Sequence, residues 1–224
     1  MNWKSNFRKV AGAMALLSCL ASGAVHADVI YQSAAYVPGG SFGYLINGDP
    51  DNFYFVGGAF SLSSAAEVTS LGGVFDGSNG SLFGALIELN SVSDRPDINP
   101  GNIASAALTS VVFAPVEGDQ TINLLAPVTL APGAYALVFG TGAFGASADF
   151  VDVTQGQSPL DISNLFQYSN DGSQAITGAS NAVSLTVNGE VLAVPEPGSA
   201  ALMMAGLMSL ALVMRRRDCK TSQL

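Results

Sequence analysis

Between residues 28 and 194, short apolar runs alternate with clusters of Gly, Asn, Asp and Pro. The runs are rich in Val, Ile, Leu, Phe and Tyr, and none sustains the 3.6-residue apolar period of a helix. They predict strands at 28–37, 53–62, 67–75, 81–89, 105–114, 120–126, 133–140, 148–153, 161–169 and 182–194. The words DGSNG (76–80), EGDQ (117–120), LAPG (130–133) and NDGS (170–173) read as turns between them. Short strands with regular turns fit an all-β fold, a β-sandwich with jelly-roll-like order as first choice. The glycines read as turn punctuation, and no phosphate-binding glycine loop is present.

The two ends have a different pattern. Residues 198–214 carry no charge. As a helix they would reach about 25 Å, the short end of a bilayer core. Pro195 and Pro197 suit the outer edge of such a helix, and Arg215, Arg216 and Arg217 follow it directly. The arginine cluster predicts a cytoplasmic end, with everything before Pro195 outside the membrane. A buried core helix is the competing reading. At the other end Lys4, Arg8 and Lys9 precede an apolar stretch from Val10 to Leu20, and Val25 and Ala27 form a small-x-small pair. This is the layout of a secretory signal peptide over 1–27, cut between Ala27 and Asp28. Cys19 raises the alternative of a lipoprotein, but Leu16, Leu17 and Ser18 fit a lipid-attachment box poorly. A retained N-terminal anchor is a third reading.

A signal peptide, a long exported region, Val-Pro-Glu-Pro-Gly, an apolar span and an Arg cluster follow one another in that order. This arrangement resembles a bacterial PEP-CTERM protein, with the match running from Val194 to Arg217. The resemblance implies handling by an exosortase, a membrane-embedded cysteine protease-transpeptidase, with Pro195, Glu196 and Pro197 as its recognition motif. It also implies a Gram-negative host that makes exopolysaccharide and biofilm. The expected organisation is a signal peptide (1–27), a β-sandwich (28–193), a sorting signal (194–217) with a transmembrane helix at 198–214, and a cytoplasmic tail (218–224). The blocks GGVFDGSNGSLFGALIEL and LAPGAYALVFGTGAFGAS, which share a Phe-Gly-Ala word, also resemble segments of other PEP-CTERM proteins. They carry no catalytic or binding residue to this chain.

Composition narrows the chemistry of the middle. Residues 28–193 contain no His, Cys or Trp, and Arg95 is their one cation against 15 carboxylates, a net charge of −14. Disulfides, Cys–His pairs and Ser-His-Asp triads are therefore unavailable to this region. Zinc, copper and haem lose their usual ligands, and one arginine makes no nucleic-acid surface. Carboxylate chemistry and hard-cation binding survive. Asp49 and Asp51 stand beside Asn47 and Asn52, and Asp94 and Asp97 beside Asn99 and Asn102. Carboxylates with amide oxygens are what calcium takes, but solvated Asx turns use the same residues. Arg95 is expected to pair with Asp94 or Asp97.

Three functions remain. The first is a non-enzymatic surface or matrix protein with no cofactor, sorted by exosortase and associated with exopolysaccharide. The second is a calcium- or glycan-binding module. The third is a hydrolase with two carboxylates across a cleft. N-terminal sequencing of the exported protein is expected to start at Asp28; a lipidated start at Cys19 would overturn the cleavage assignment.

Overall fold

The computed structural model describes residues 28–39, 42–47, 49, 51, 53–76, 80–148, 151–154, 158–160, 163–169, 171–176, 182–192 and 206. The expected signal peptide and, apart from Gly206, the sorting segment lie outside these residues. Among the described residues no helix is long and apolar enough to cross a membrane.

The chain is all-β. Its strands are β1 (Asp28–Gln32), β2 (Ala34–Ala35), β3 (Phe42–Ile46), β4 (Tyr54–Leu62), β5 (Ala66–Phe75), β6 (Leu82–Leu89), β7 (Ala107–Phe113) and β8 (Gly118–Leu130), followed by β9 (Gly133–Gly140), β10 (Val151–Thr154), β11 (Ser158–Pro159), β12 (Leu165–Ser169), β13 (Gly172–Ala175) and β14 (Leu185–Val191). One helical turn, α1 (Ile103–Ala106), precedes β7. The first sheet runs β1-β14-β5-β10-β3, with β8 also on β5. The second runs β13-β12-β4-β9-β6-β7, and β2 pairs with β11 in a small ribbon.

In the first sheet β5 pairs with β8 from Ala66 to Phe75. It pairs with β14 from Ala66 to Gly73, and Val153 of β10 takes over opposite Phe75. β8 bulges where Val68 pairs with Val128 and Ser70 already pairs with Asn123. Pro127, which has no N–H to give a ladder, sits in that bulge.

Apolar side chains from both sheets form the main core. Val56 and Phe60 of β4, Leu86 of β6, and Leu137 and Phe139 of β9 meet Leu71 and Phe75 of β5, Val153 of β10, and Leu185 and Val187 of β14. A second core lies on the opposite face of the second sheet. It holds Phe55, Ala59, Phe83, Ala85, Ala136, Val138 and Phe166, roofed by Ile98, Ile103, Ala143 and Ala146 from two connections. The strands β4, β6 and β9 are thus buried on both faces, which explains their near-continuous apolar runs.

Two-sided burial also gives the strand glycines their role, and here the turn reading of the glycines is corrected. A Cβ on Gly57 would stand 2.6 Å from Phe166 Cζ and 2.7 Å from the Leu137 carbonyl oxygen. One on Gly140 would lie 2.5 Å from both the Phe55 and Phe83 rings, and one on Gly84 2.8 Å from Phe139. These glycines are seats for rings. The rings then meet edge to face, Phe55 with Phe83 at 5.4 Å and Phe75 with Phe139 at 5.0 Å. The two Phe-Gly-Ala words differ in structure. The first lies in β6; in the second Phe144 (φ 55°) and Gly145 (φ 84°) form a left-handed turn. Phe83 and Phe144 nevertheless pack together at 5.1 Å.

Other departures from the sequence pattern have local causes. The expected strand 28–37 breaks at buried Ser33, whose Oγ donates to the Val183 carbonyl and accepts from Leu185 N–H at 2.8 Å. The chain then leaves β14 for the β2–β11 ribbon. The EGDQ turn is mostly strand, since β8 starts at Gly118 (φ 103°). β3, β11 and β13 carry weak local signals and are held by partners distant in sequence or by a hairpin.

The register places the two ends of the ladder. Asp28 pairs with Gly189 and Val191 with Ala66, so β1 begins where β14 leaves the sheet. The turns after Leu62 and Leu130 close that same end.

Gly57→Ala is expected to destabilise the fold by about 1–3 kcal/mol, lowering Tm by roughly 3–10 °C. Ser61→Ala, on the exposed end of the same strand, should change Tm by no more than about 2 °C. Thermal melts of the two variants decide whether two-sided ring packing limits stability.

Candidate functional site

At Leu89 the chain leaves β6 and enters a connection, 90–106, that folds back across the outer face of the second sheet. Ile98 and Ile103 are buried and pin it there. Its polar residues bind the backbone. Asn99 Oδ1 accepts from Gly101 N–H at 2.9 Å and from Asn102 N–H at 3.1 Å. Asn102 Oδ1 accepts from Asn99 N–H at 2.7 Å, and its Nδ2 donates to the Asp97 carbonyl at 3.0 Å. These bonds replace the ladder that the connection lacks.

Between this connection and the end of β6 lies an open groove of about 540 Å³, with Glu88, Asn90, Asp94, Arg95, Pro96 and Asp97 along its walls. Arg95 takes a different position from the expected one. Its Nη1 donates to the carbonyls of Ser93 (3.4 Å) and Asp94 (3.3 Å), and its guanidinium stands 5.6 Å from the centre of the Phe166 ring. No carboxylate partner is among these contacts. The ring gives the cation a face to cover, worth about 0.5–1 kcal/mol at an exposed site. A solvated ion pair would offer no more. Nearby, Tyr168 touches the Ile98 backbone. Burial pushes its hydroxyl pKa upward and the charge of Asp97 adds to this, while the Ile98 contact opposes it.

The calcium candidates separate into two places. Asp94 and Asp97 share the groove, but the amide oxygens of Asn99 and Asn102 are already used by backbone donors. Asp49 and Asp51 lie on the connection between β3 and β4. There Asp49 N–H donates to Asn47 Oδ1 and Asp51 N–H to Asp49 Oδ1, both at 3.0 Å, as successive Asx turns. The Asn47–Tyr54 bridge sets them beside the start of β4, whereas the groove adjoins the end of β6 that lies level with the end of β4. The two pairs therefore lie on different connections of the sandwich. Among the described residues no three His, Cys, Asp or Glu side chains come together to hold a metal.

Carboxylates do meet at the end where β5 finishes. Asp76 Oδ1 accepts from Asp152 N–H at 2.8 Å, and Asp76 N–H donates to the Asp152 carbonyl at 3.0 Å. Burial raises the Asp152 pKa first, and the neighbouring Asp76 raises it further. Alternation along the sequence gives Asp152 no role beyond its strand; its pairing with Asp76, 76 residues away, is a tertiary fact. Of the remaining sequence candidates, Asp28 is the first residue of β1. Ala27, Pro195, Glu196, Pro197, Arg215, Arg216 and Arg217 lie outside the described residues.

No family model and no curated protein matches the sequence. Among solved structures the chain is similar to the cysteine protease and lectin-like domains of a surface layer associated protein of Clostridium difficile, at 13% identity and a TM-score of 0.40. That likeness covers 62% of this chain and 32% of the other, so this chain spans about a third of that structure's length. A chain of the IBDV viral particle is similar at 13% identity and a TM-score of 0.27, over 78% of this chain and 41% of that one. At these scores neither likeness bears on function.

The raised Asp152 pKa has a definite sign. The native state holds this proton more tightly than the unfolded chain does. Its contribution is thus present below the ordinary aspartate value of 3.8 and is lost as pH rises through the higher folded value. Asp152→Asn should therefore melt higher than the parent at pH 7, and the gap should close on acidification below that ordinary value. Paired melts across pH test this.

Proposed function

We propose that this chain is an exported, non-enzymatic surface or extracellular-matrix protein of a Gram-negative bacterium. It is sorted through a PEP-CTERM tail by an exosortase. The observation that carries this reading is the ordered tail itself: Pro195-Glu196-Pro197, an uncharged span at 198–214, and Arg215–Arg217. Two prolines keep the motif extended and out of the helix, so a protease groove can take it without unwinding it. The span holds the motif at the membrane surface, and the arginines set the side it faces.

Three features of the fold support the reading. The ladder starts at Asp28, the first residue after the expected signal cut, and ends at Val191, shortly before the motif. Both ends lie at one end of the sandwich, so a domain tethered through its tail would stand on that end. Successive strands also cross repeatedly between the two sheets, which supports jelly-roll-like order within the sandwich. Association with exopolysaccharide belongs to the same proposal. A calcium- or glycan-binding module is the second reading, and the groove beside Arg95 is the feature in its favour. A hydrolase has less support, because Asp152 and its neighbour Asp76 are not among the residues that line the groove.

Replacing Pro195, Glu196 and Pro197 together with alanine is expected to leave an uncut, membrane-anchored protein in a host with active exosortase. Fractionation with one antibody to the sandwich and another to a tag after Leu224 reads the result. Release of this variant at the parent's rate would make the span a plain anchor.

A further inference from the structure

Strand β7 closes one edge of the second sheet, and β8 closes the edge of the first sheet on the same side of the sandwich. Edge strands present unpaired backbone donors and acceptors, and proteins commonly guard them with lysines or other charges. This edge has no such guard. No charged residue occurs from Ile98 to Val116, or from Gln120 to Ala148. Large apolar side chains face outward instead: Leu108 is 45% exposed, Val112 42%, Val116 53% and Leu125 95%. Leu125 is lifted by the β8 bulge. The registers through β6, β9 and β4 set Leu108 at about the same height as Leu125.

We propose that this edge docks a second copy of the chain, β7 pairing antiparallel with its own counterpart about a two-fold axis. Charge selects that partner. Two domains of net charge −14 repel through most of their surfaces, and this edge lets them touch without opposed carboxylates. A basic partner would be drawn to the acidic surfaces rather than here. Charge also selects the orientation. Glu117 and Asp119 mark one end of the edge. Parallel pairing would set them against themselves, whereas antiparallel pairing sets them against Ala104-Ser105-Ala106 of the other copy, which carry no charge of their own although Glu88 lies beside Ala106 in the groove. The bulge between Leu86 and Ile87 in the β6–β7 register leaves Thr109–Phe113 as the regular segment able to extend the sheet. Pairing there extends the second sheet across both copies and buries Val112 with its counterpart.

The test exploits the absence of cysteine from residues 28–193. In the full chain carrying Cys19→Ser and Cys219→Ser, one cysteine is introduced at a time at positions 108–113, with Ser61→Cys at the exposed end of β4 as control. Mild oxidation of the purified protein should give a disulfide-linked dimer at one or two neighbouring positions and none at 61. Adding Val112→Lys to the cross-linking variant, or Ser110→Lys where the cysteine is itself at 112, should reduce the dimer at least tenfold with an unchanged circular dichroism spectrum. No cross-link at any of the six positions, equal cross-linking at position 61, or cross-linking indifferent to the lysine would overturn the proposal. Because the readout is at the edge itself, it is independent of whether the tail is cut.

Discussion

The fold depends on the fit of phenylalanine rings into glycine seats on a sheet that is buried on both faces. β4, β6 and β9 have the main core on one side and the smaller core on the other. Rings from neighbouring strands can pack against them only where the strand carries no side chain. Gly57 receives Phe166, Gly84 receives Phe139, and Gly140 receives both Phe55 and Phe83. Glycine in a strand interior normally weakens it. Here the loss is offset by ring burial and edge-to-face contacts, in a domain with no cysteine to staple it.

The same constraint distributes the charge. Carboxylates cannot enter the middle of strands buried on both faces. Asp28, Glu67, Glu88, Asp119, Asp152 and Glu190 each stand first or second from a strand end. The acids therefore gather at the ends of the sandwich and in its connections, and long stretches between them are neutral. Asp152 is partly buried, and it shows the consequence as a raised proton affinity beside Asp76.

The outer core needs a cover, and this need creates the groove. Ile98 and Ile103 close the apolar face of the second sheet, but the connection that carries them has no strand partner. Asn99 and Asn102 supply its missing hydrogen bonds, and Asp94, Arg95 and Asp97, before the first anchor, line the groove. Arg95 then lies on Phe166 rather than on a carboxylate. An apolar ring at the rim of the core holds the guanidinium as well as an exposed ion pair would.

Much of this was legible in the sequence. Apolar runs bounded by turn residues located β4, β5, β6 and β9 to within a residue, because two-sided burial demands continuous apolar character that local composition displays. The all-β class follows from the same pattern, and the absence of Cys, His and Trp follows from counting. The expected signal and sorting segments rest on the sequence alone and lie outside the described residues. Tertiary structure alone decided the rest. β3 and β11 are strands because distant partners complete their ladders, and the break at Ser33 exists because β14 supplies its bonds. Glycine looks the same in a turn and under an aromatic ring, so only packing separates Gly84 from Gly145. The meeting of Asp76 with Asp152, the separation of Asp49 from Asp94, and the neutral β7–β8 edge all arise from strand order. Non-local pairing fixes that order, and the short-range pattern of side chains carries little record of it.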